Sequence, residues 1–410
     1  LRLAGVGYLL GLAAFGVAWT ALLVAGVPFG GLGIAASLVG LAAAGTALGR
    51  LRRSELPRGL PRVRWTPVVL VSAAGIALAG LFLEALFRAA RLQSLQASDA
   101  WAFWVPKAKA IFLFGNLDVG VLTTAPNPSY PPLLPILDAA AFHAMGGVDP
   151  ATLHVQFWFF VLGVVAAVAG LLRRHALAWL LWPCLLLVLV VPRFGERLLT
   201  PQADVLLDVL TVVAAMLVVL WLLDRAGWRL AAAALLLAAA GNTKREGLLF
   251  AACVLAVAFV ASRRRDWPRL AAASLVVGAA AVPWRLWTLR EDLPAGTPTS
   301  FDGGRLADAI RLSFEVLYSN ALWSVVPLVG TVAVAAAAVW GDRRAAAFVG
   351  LLAVLLFAGG VWSSVGFEEL ALTADESGNP IVRYTGSIVL LAGVAAPLLL
   401  SSVWRGGEEP

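Results

Sequence analysis

Long apolar runs recur from one end of this chain to the other, and most approach the length that crosses a bilayer. A hydrocarbon core of about 30 Å takes about 20 apolar residues in a helix. Segments at 6–27, 31–49, 67–90, 152–172, 176–192, 205–223, 229–241, 247–262, 270–289, 321–340, 345–362 and 381–403 fit that template. They predict an all-α polytopic membrane protein of about 12 transmembrane helices, built as one transmembrane domain over residues 1–410. Hydrophobic residues make up 61% of the chain and charged ones 13%, against roughly 45–50% and about 25% in soluble domains. That contrast excludes a soluble enzyme, a disordered chain and a barrel of alternating strands.

The charges assign a side to each loop, because Lys and Arg are retained on the cytoplasmic face. Segment 50–64 carries Arg50, Arg52, Arg53, Arg58, Arg62 and Arg64 against Glu55 alone. Arg173-Arg174, Arg225 with Arg229, Arg263-Arg264-Arg265 with Arg269, and Arg343-Arg344 mark the other inner loops. With Arg2 and Arg405 also inside, both termini are expected in the cytoplasm of a bacterium, and the remaining loops on the outer face of its plasma membrane. The net charge of +7 is thus a topology signal, and no nucleic-acid partner is expected. Cys184 and Cys253 both lie inside apolar runs, so neither a disulfide framework nor a metal knuckle is predicted.

Two features depart from plain spanning helices. Residues 131–145 are apolar but too short to cross, and read as an interfacial or re-entrant helix beneath the long outer loop 91–151. The pair 229–241 and 247–262 is also short, which sets Asn242-Thr243-Lys244-Arg245-Glu246 at or below the outer interface. Ionisable groups at such depth are costly unless they face protein or a water-filled cavity, so the turn is a candidate site.

The outer segments carry the rest of the chemistry. Ser98-Asp99 opens an aromatic stretch with Trp101, Phe103, Trp104, Lys107 and Lys109, and Tyr130-Pro131-Pro132-Leu133 starts the short helix. Glu196 follows in the next outer turn, Gln202-Ala203-Asp204 begins a helix, and Arg383-Tyr384 begins the last one. This order resembles the GT-C superfamily of integral membrane glycosyltransferases, which includes protein mannosyltransferases and lipid A aminoarabinose transferases. The likeness is good over 67–262, the catalytic-type core, and looser over the C-terminal helices of 263–410. Residues 1–66 add a helix pair ahead of the family's usual first helix, and the first loop has no tight Asp-x-Asp pair.

The resemblance implies transfer of a sugar from a polyprenyl-phosphate donor to a glycan, lipid or protein acceptor at the outer face. Asp99 matches the first acidic position and is the expected catalytic base. Asp204 matches the second and, with Glu196, is expected to position the acceptor or support a metal. Lys244 and Arg245 match the basic turn and Arg383 the late basic position; these three are the expected donor phosphate ligands. Trp101, Trp104, Lys107, Tyr130 and Glu246 are expected substrate contacts. No cofactor is named by the sequence, and a divalent metal stays open. Such chemistry needs a carboxylate to take the acceptor proton and cations to hold the departing phosphate.

Each residue also has an ordinary role. Asp99 with Ser98 fits an N-cap, and Asp204 suits a helix N-terminus. The lysines, Arg245 and Arg383 fit interfacial anchors, and the tryptophans an aromatic belt. Asp138 and His143, five residues apart on the short helix, could join Glu196 on a metal. A different class, a lipid-linked sugar flippase or small-molecule transporter, would show broken helices in both halves and sites near the midplane. Here the polar groups gather on one side, and no repeat is visible.

Overall fold

The computed structural model describes residues 3–51, 66–92, 99–125, 127–197, 200–294, 302–366 and 380–406. Outside them lie Arg2, Ser98, Glu55 and Arg52 to Arg64 of the basic loop, Glu368 and Glu369, and Glu408 and Glu409. Among the described residues every regular element is helical. The first three helices are α1 (Ala4–Val24), α2 (Gly31–Leu51) and α3 (Pro67–Ala90). The long segment after α3 then folds into α4 (Val105–Phe114), α5 (Val119–Thr124) and α6 (Leu133–Met145). A central group follows: α7 (Pro150–Leu172), α8 (Ala178–Leu189), α9 (Pro192–Arg197), α10 (Ala203–Asp224), α11 (Gly227–Gly241), α12 (Glu246–Ala261) and α13 (Trp267–Arg290). The chain closes with α14 (Leu306–Leu317), α15 (Asn320–Trp323), α16 (Val326–Trp340), α17 (Arg343–Gly366) and α18 (Pro380–Gly406).

Each of the expected spans is a helix, but their lengths differ. Seven are long and apolar enough to cross a membrane: α1, α3, α7, α10, α13, α17 and α18. The five others, α2, α8, α11, α12 and α16, have shorter apolar stretches. The segment expected at 321–340 is broken near its start, where α15 ends at Ser324 with φ 55° and α16 begins anew at Val326. Pro327 explains the restart, because proline fits the first turn of a helix and disfavours a helical residue before it. Pro192 likewise opens α9, separate from α8, which ends at Leu189.

The centre of the bundle is α10. Its sequence is apolar on all sides, as a helix surrounded by other helices must be, and every residue of its apolar span is buried. It packs against α7, α11, α12, α17 and α18. The N-terminal pair divides: α1 lies within the core against α6, α7, α11 and α13, whereas α2 touches α1 and α6 at the periphery. Leu9, Val6 and Trp19 of α1 are fully buried, while most of α2 is exposed. Both cysteines are free and buried.

Helix α6 has 13 residues, a length of about 20 Å at 1.5 Å per residue, so it does not reach across a bilayer. It lies against α1, α4 and α7. The Leu133 amide donates to the Asn242 carbonyl at 3.1 Å, which ties its start to the turn between α11 and α12. That turn is tight: a Cβ on Gly247 would sit 1.9 Å from the Ala240 carbonyl oxygen, so only glycine lets the two helices close there.

Candidate active site

Five charged side chains from four elements form a ladder of alternating sign. Asp204 stands in the first turn of α10, where the helix dipole favours a carboxylate. Its Oδ1 accepts from Lys244 Nζ at 2.6 Å, and its Oδ2 lies 3.9 Å from Arg383 Nε. Arg383, in the first turn of α18, donates from its terminal nitrogen to Asp99 Oδ2 at 2.8 Å. Lys244 also lies 3.9 Å from Glu246 Oε1. The ladder therefore runs Asp99, Arg383, Asp204, Lys244, Glu246. Exposure of the side chains falls from 36% at Asp99 through 24% at Arg383 to 3% at Lys244, so one end is open and the middle is sealed in protein.

Burial and charge set the state of the sealed middle. Burial disfavours the charged form of Lys244, but Asp204 and Glu246 outweigh it and hold its pKa above the ordinary lysine value. Lys244 is thus a fixed positive charge.

Tyr130 forms the wall over this ladder. Its ring faces Lys244 Nζ at 5.6 Å and the Arg245 guanidinium at 5.8 Å, and its hydroxyl donates to Glu246 Oε1 at 3.4 Å. Burial first, and then Glu246, push its phenol pKa up to about 12. Trp104 stacks on Tyr130 at 6.0 Å, with Phe103 edge-on to both rings. Trp101 instead points outward and is exposed.

The sequence between Asp99 and Tyr130 folds to hold this wall. Ala100–Trp104 is a turn of π-helix running straight into α4, the kind of local widening that re-aims side chains near functional sites. Asp99 makes no side-chain capping bond to that turn; its carboxylate reaches Arg383 instead. Lys107 is buried beneath the wall, 4.0 Å from the Phe103 ring centre, and donates to the Asn127 carbonyl at 2.9 Å. Burial brings its pKa down to about 7. Asn127, at φ 50°, begins the turn that delivers Ser129 and Tyr130. Lys109 is exposed.

The fold thus brings together Asp99, Asp204, Lys244, Arg245, Glu246, Arg383 and Tyr130, with Trp104 and Lys107 behind them. Glu196 lies in α9, but its side chain falls outside the described ones. Asp138 is buried between α6 and α7, where Gln156 Nε2 donates to its Oδ1 at 3.1 Å. His143 packs against Phe112 and Phe29 at 4.7 and 5.7 Å. Among the described residues no group of three or more His, Cys, Asp or Glu side chains could hold a metal ion. Arg383 instead bridges Asp204 to Asp99, the acid expected to be the base.

Three polar residues around the ladder escaped the sequence reading. Asp208 lies one turn below Asp204 and accepts from Ser387, which lies one turn below Arg383. Arg285 of α13 is close enough to Arg245 and Glu246 for their charges to act on one another. A signal existed for both charged residues, since each is ionisable inside an apolar span.

No protein-family model matches the chain, and neither does any curated protein sequence. A solved structure does: ArnT from Cupriavidus metallidurans, crystallised with undecaprenyl phosphate bound, matches with a TM-score of 0.55 at 18% identity. The match covers 80% of this chain and 59% of that one. The two chains share a fold. The present chain spans about three-fifths of the length of that one.

Proposed function

We propose that this protein is a membrane glycosyltransferase moving one sugar from a polyprenyl-phosphate donor to a cell-envelope glycan, lipid or protein, with inversion, on the outer face of a bacterial plasma membrane. The observation that carries the reading is the ladder joining Asp99, Arg383, Asp204 and Lys244, set in a fold shared with a protein that binds undecaprenyl phosphate.

The chemistry follows from what each group can do. The acceptor hydroxyl gives its proton to Asp99, the carboxylate at the open end. Its oxygen bonds to the anomeric carbon as the carbon–oxygen bond to phosphate breaks from the opposite face. The electron pair leaves with the phosphate oxygen. A positioned base contributes about 10²–10⁴-fold, and each preorganised charge on the departing phosphate about 10²–10³-fold. Arg245 and Arg383 supply such charges at the partly exposed rim, while Lys244 holds Asp204 and Glu246. Nothing in this sequence of bonds calls for a metal, and a divalent ion is an added variable for the assay.

The donor tail needs an apolar path. A cavity of about 500 Å³ opens between α14, α16, α17 and α18, lined by Phe314, Leu317, Val334, Val349, Phe357 and Ile388 among others. Ile388 lies five residues beyond Arg383 on the same helix, about 7.5 Å along its axis. Five residues also turn the helix by about 140°, so the donor tail would have to pass around α18 from Arg383 to reach this groove.

The deciding experiment incubates purified protein with a panel of radiolabelled polyprenyl-phosphate sugars and membrane extract, beside Asp99→Asn. Sugar transfer with release of polyprenyl phosphate, falling at least 10²-fold in the folded variant, is the expected result. Donor movement across vesicles with the sugar still attached would replace the transferase reading by a flippase.

A further inference from the structure

Two arginines, Arg245 and Arg285, stand beside the buried part of the ladder. Asp99, Asp204 and Glu246 face Arg383, Lys244, Arg245 and Arg285. Lys244 and Arg383 are committed to carboxylates. Arg245 donates to the Ser129 hydroxyl, while its Nε is buried without a partner, as is Glu246 Oε2. Arg285 makes no ion pair among the described residues.

Two hydrogen bonds tie α13, which carries Arg285, to the segments that hold Arg245. Asn242 Nδ2 donates to the Ala280 carbonyl of α13 at 3.1 Å, and Trp284 Nε1 donates to the Ser129 carbonyl at 3.0 Å. Ser129 therefore takes Trp284 on its carbonyl and Arg245 on its hydroxyl, and Arg285 is the residue after Trp284. Like charges held together in a half-buried, apolar setting repel, and an arginine inside an apolar span is costly. An anion between them reverses both penalties, and the paired forks of two arginines suit phosphate oxygens.

We infer that Arg285 is a further phosphate-binding residue, which together with Arg245 and beside Arg383 grips the isoprenoid phosphate of the donor, leaving Lys244 to orient the carboxylates. This rests on the proposed transferase reading for the identity of the carrier, but the anion site itself is read from the residues. The phosphate released on transfer gains charge, and the same two arginines hold it.

The test uses farnesyl phosphate as the probe and farnesol as its uncharged control, binding to the full chain in detergent. Arg285→Met should weaken farnesyl phosphate binding about 10- to 100-fold and leave farnesol unchanged. If Arg285→Met does not fold, Arg285→Gln is read in the same way. Unchanged phosphate affinity in the folded variant overturns the role of Arg285 and leaves the transferase reading standing. A parent protein that does not prefer the phosphate over the alcohol overturns both.

Discussion

Arg383 and Asp99 are separated by 284 residues of chain and meet at 2.8 Å. The contact joins the start of the last helix to the start of the first large loop. It sets Asp99 at the exposed end of the ladder, beside the buried Asp204–Lys244 pair.

Arg383 uses different nitrogens toward its two carboxylates, Asp99 and Asp204. A lysine offers one point charge and cannot span both. Arg383→Lys is expected to fold and to lose about 10²-fold in sugar transfer, measured as kcat with the radiolabelled donor. Retention of full activity would show that bridging is not required.

The Lys244–Asp204 pair is buried on both sides. Removing one partner strands the other, at a cost of about 3–5 kcal/mol. Lys244→Met should therefore lower the thermal midpoint in detergent markedly. The double variant Lys244→Met with Asp204→Asn should recover much of that loss while remaining inactive.

Lys107 gives a pH dependence whose sign can be worked out. Its pKa is about 7 in the folded chain and ordinary, near 10.5, once unfolded. Between these values the unfolded chain holds the proton and the folded one does not, so stability rises with pH across that window. Below about pH 7 both states are protonated and the effect levels off, with the burial penalty fully present. The difference between parent and Lys107→Met should approach a slope of ~1.4 kcal/mol per pH unit between pH 8 and 10, read from unfolding midpoints.

Gly386 lies between Arg383 and Ser387's neighbours at the contact of α18 with α10. A Cβ there would come within 2.7 Å of Asp208 Oδ2 and 3.7 Å of the Trp323 ring. Gly386→Ala is expected to cost about 1–3 kcal/mol and to reduce transfer, since the same contact sets Arg383 beside Asp204. Adding Asp208→Ala should relieve part of the loss, so the double variant should cost less than the sum of the two.

The linear chain states its solvent plainly. Apolar runs of spanning length, arginine-rich loops and the short helix 131–145 were readable because each is a property of neighbouring residues. The order of Asp99, the Tyr-Pro-Pro start, Asp204 and the Lys244 turn was readable for the same reason. Which helices lie inside the bundle was not. The spans of α3 and α10 have mean hydropathies of 2.2 and 2.7, yet 17% of the first and 100% of the second are buried. Lipid tails and protein interiors are equally apolar, so hydropathy cannot tell one neighbour from the other. Hence the burial of α1 against α6, α7, α11 and α13 went unread, as did Arg285 and Asp208, each inside an apolar span. The pairing of Arg383 with Asp99 and of Lys244 with Asp204 depends on side chains hundreds or tens of residues apart meeting in low dielectric, and that is settled by packing alone.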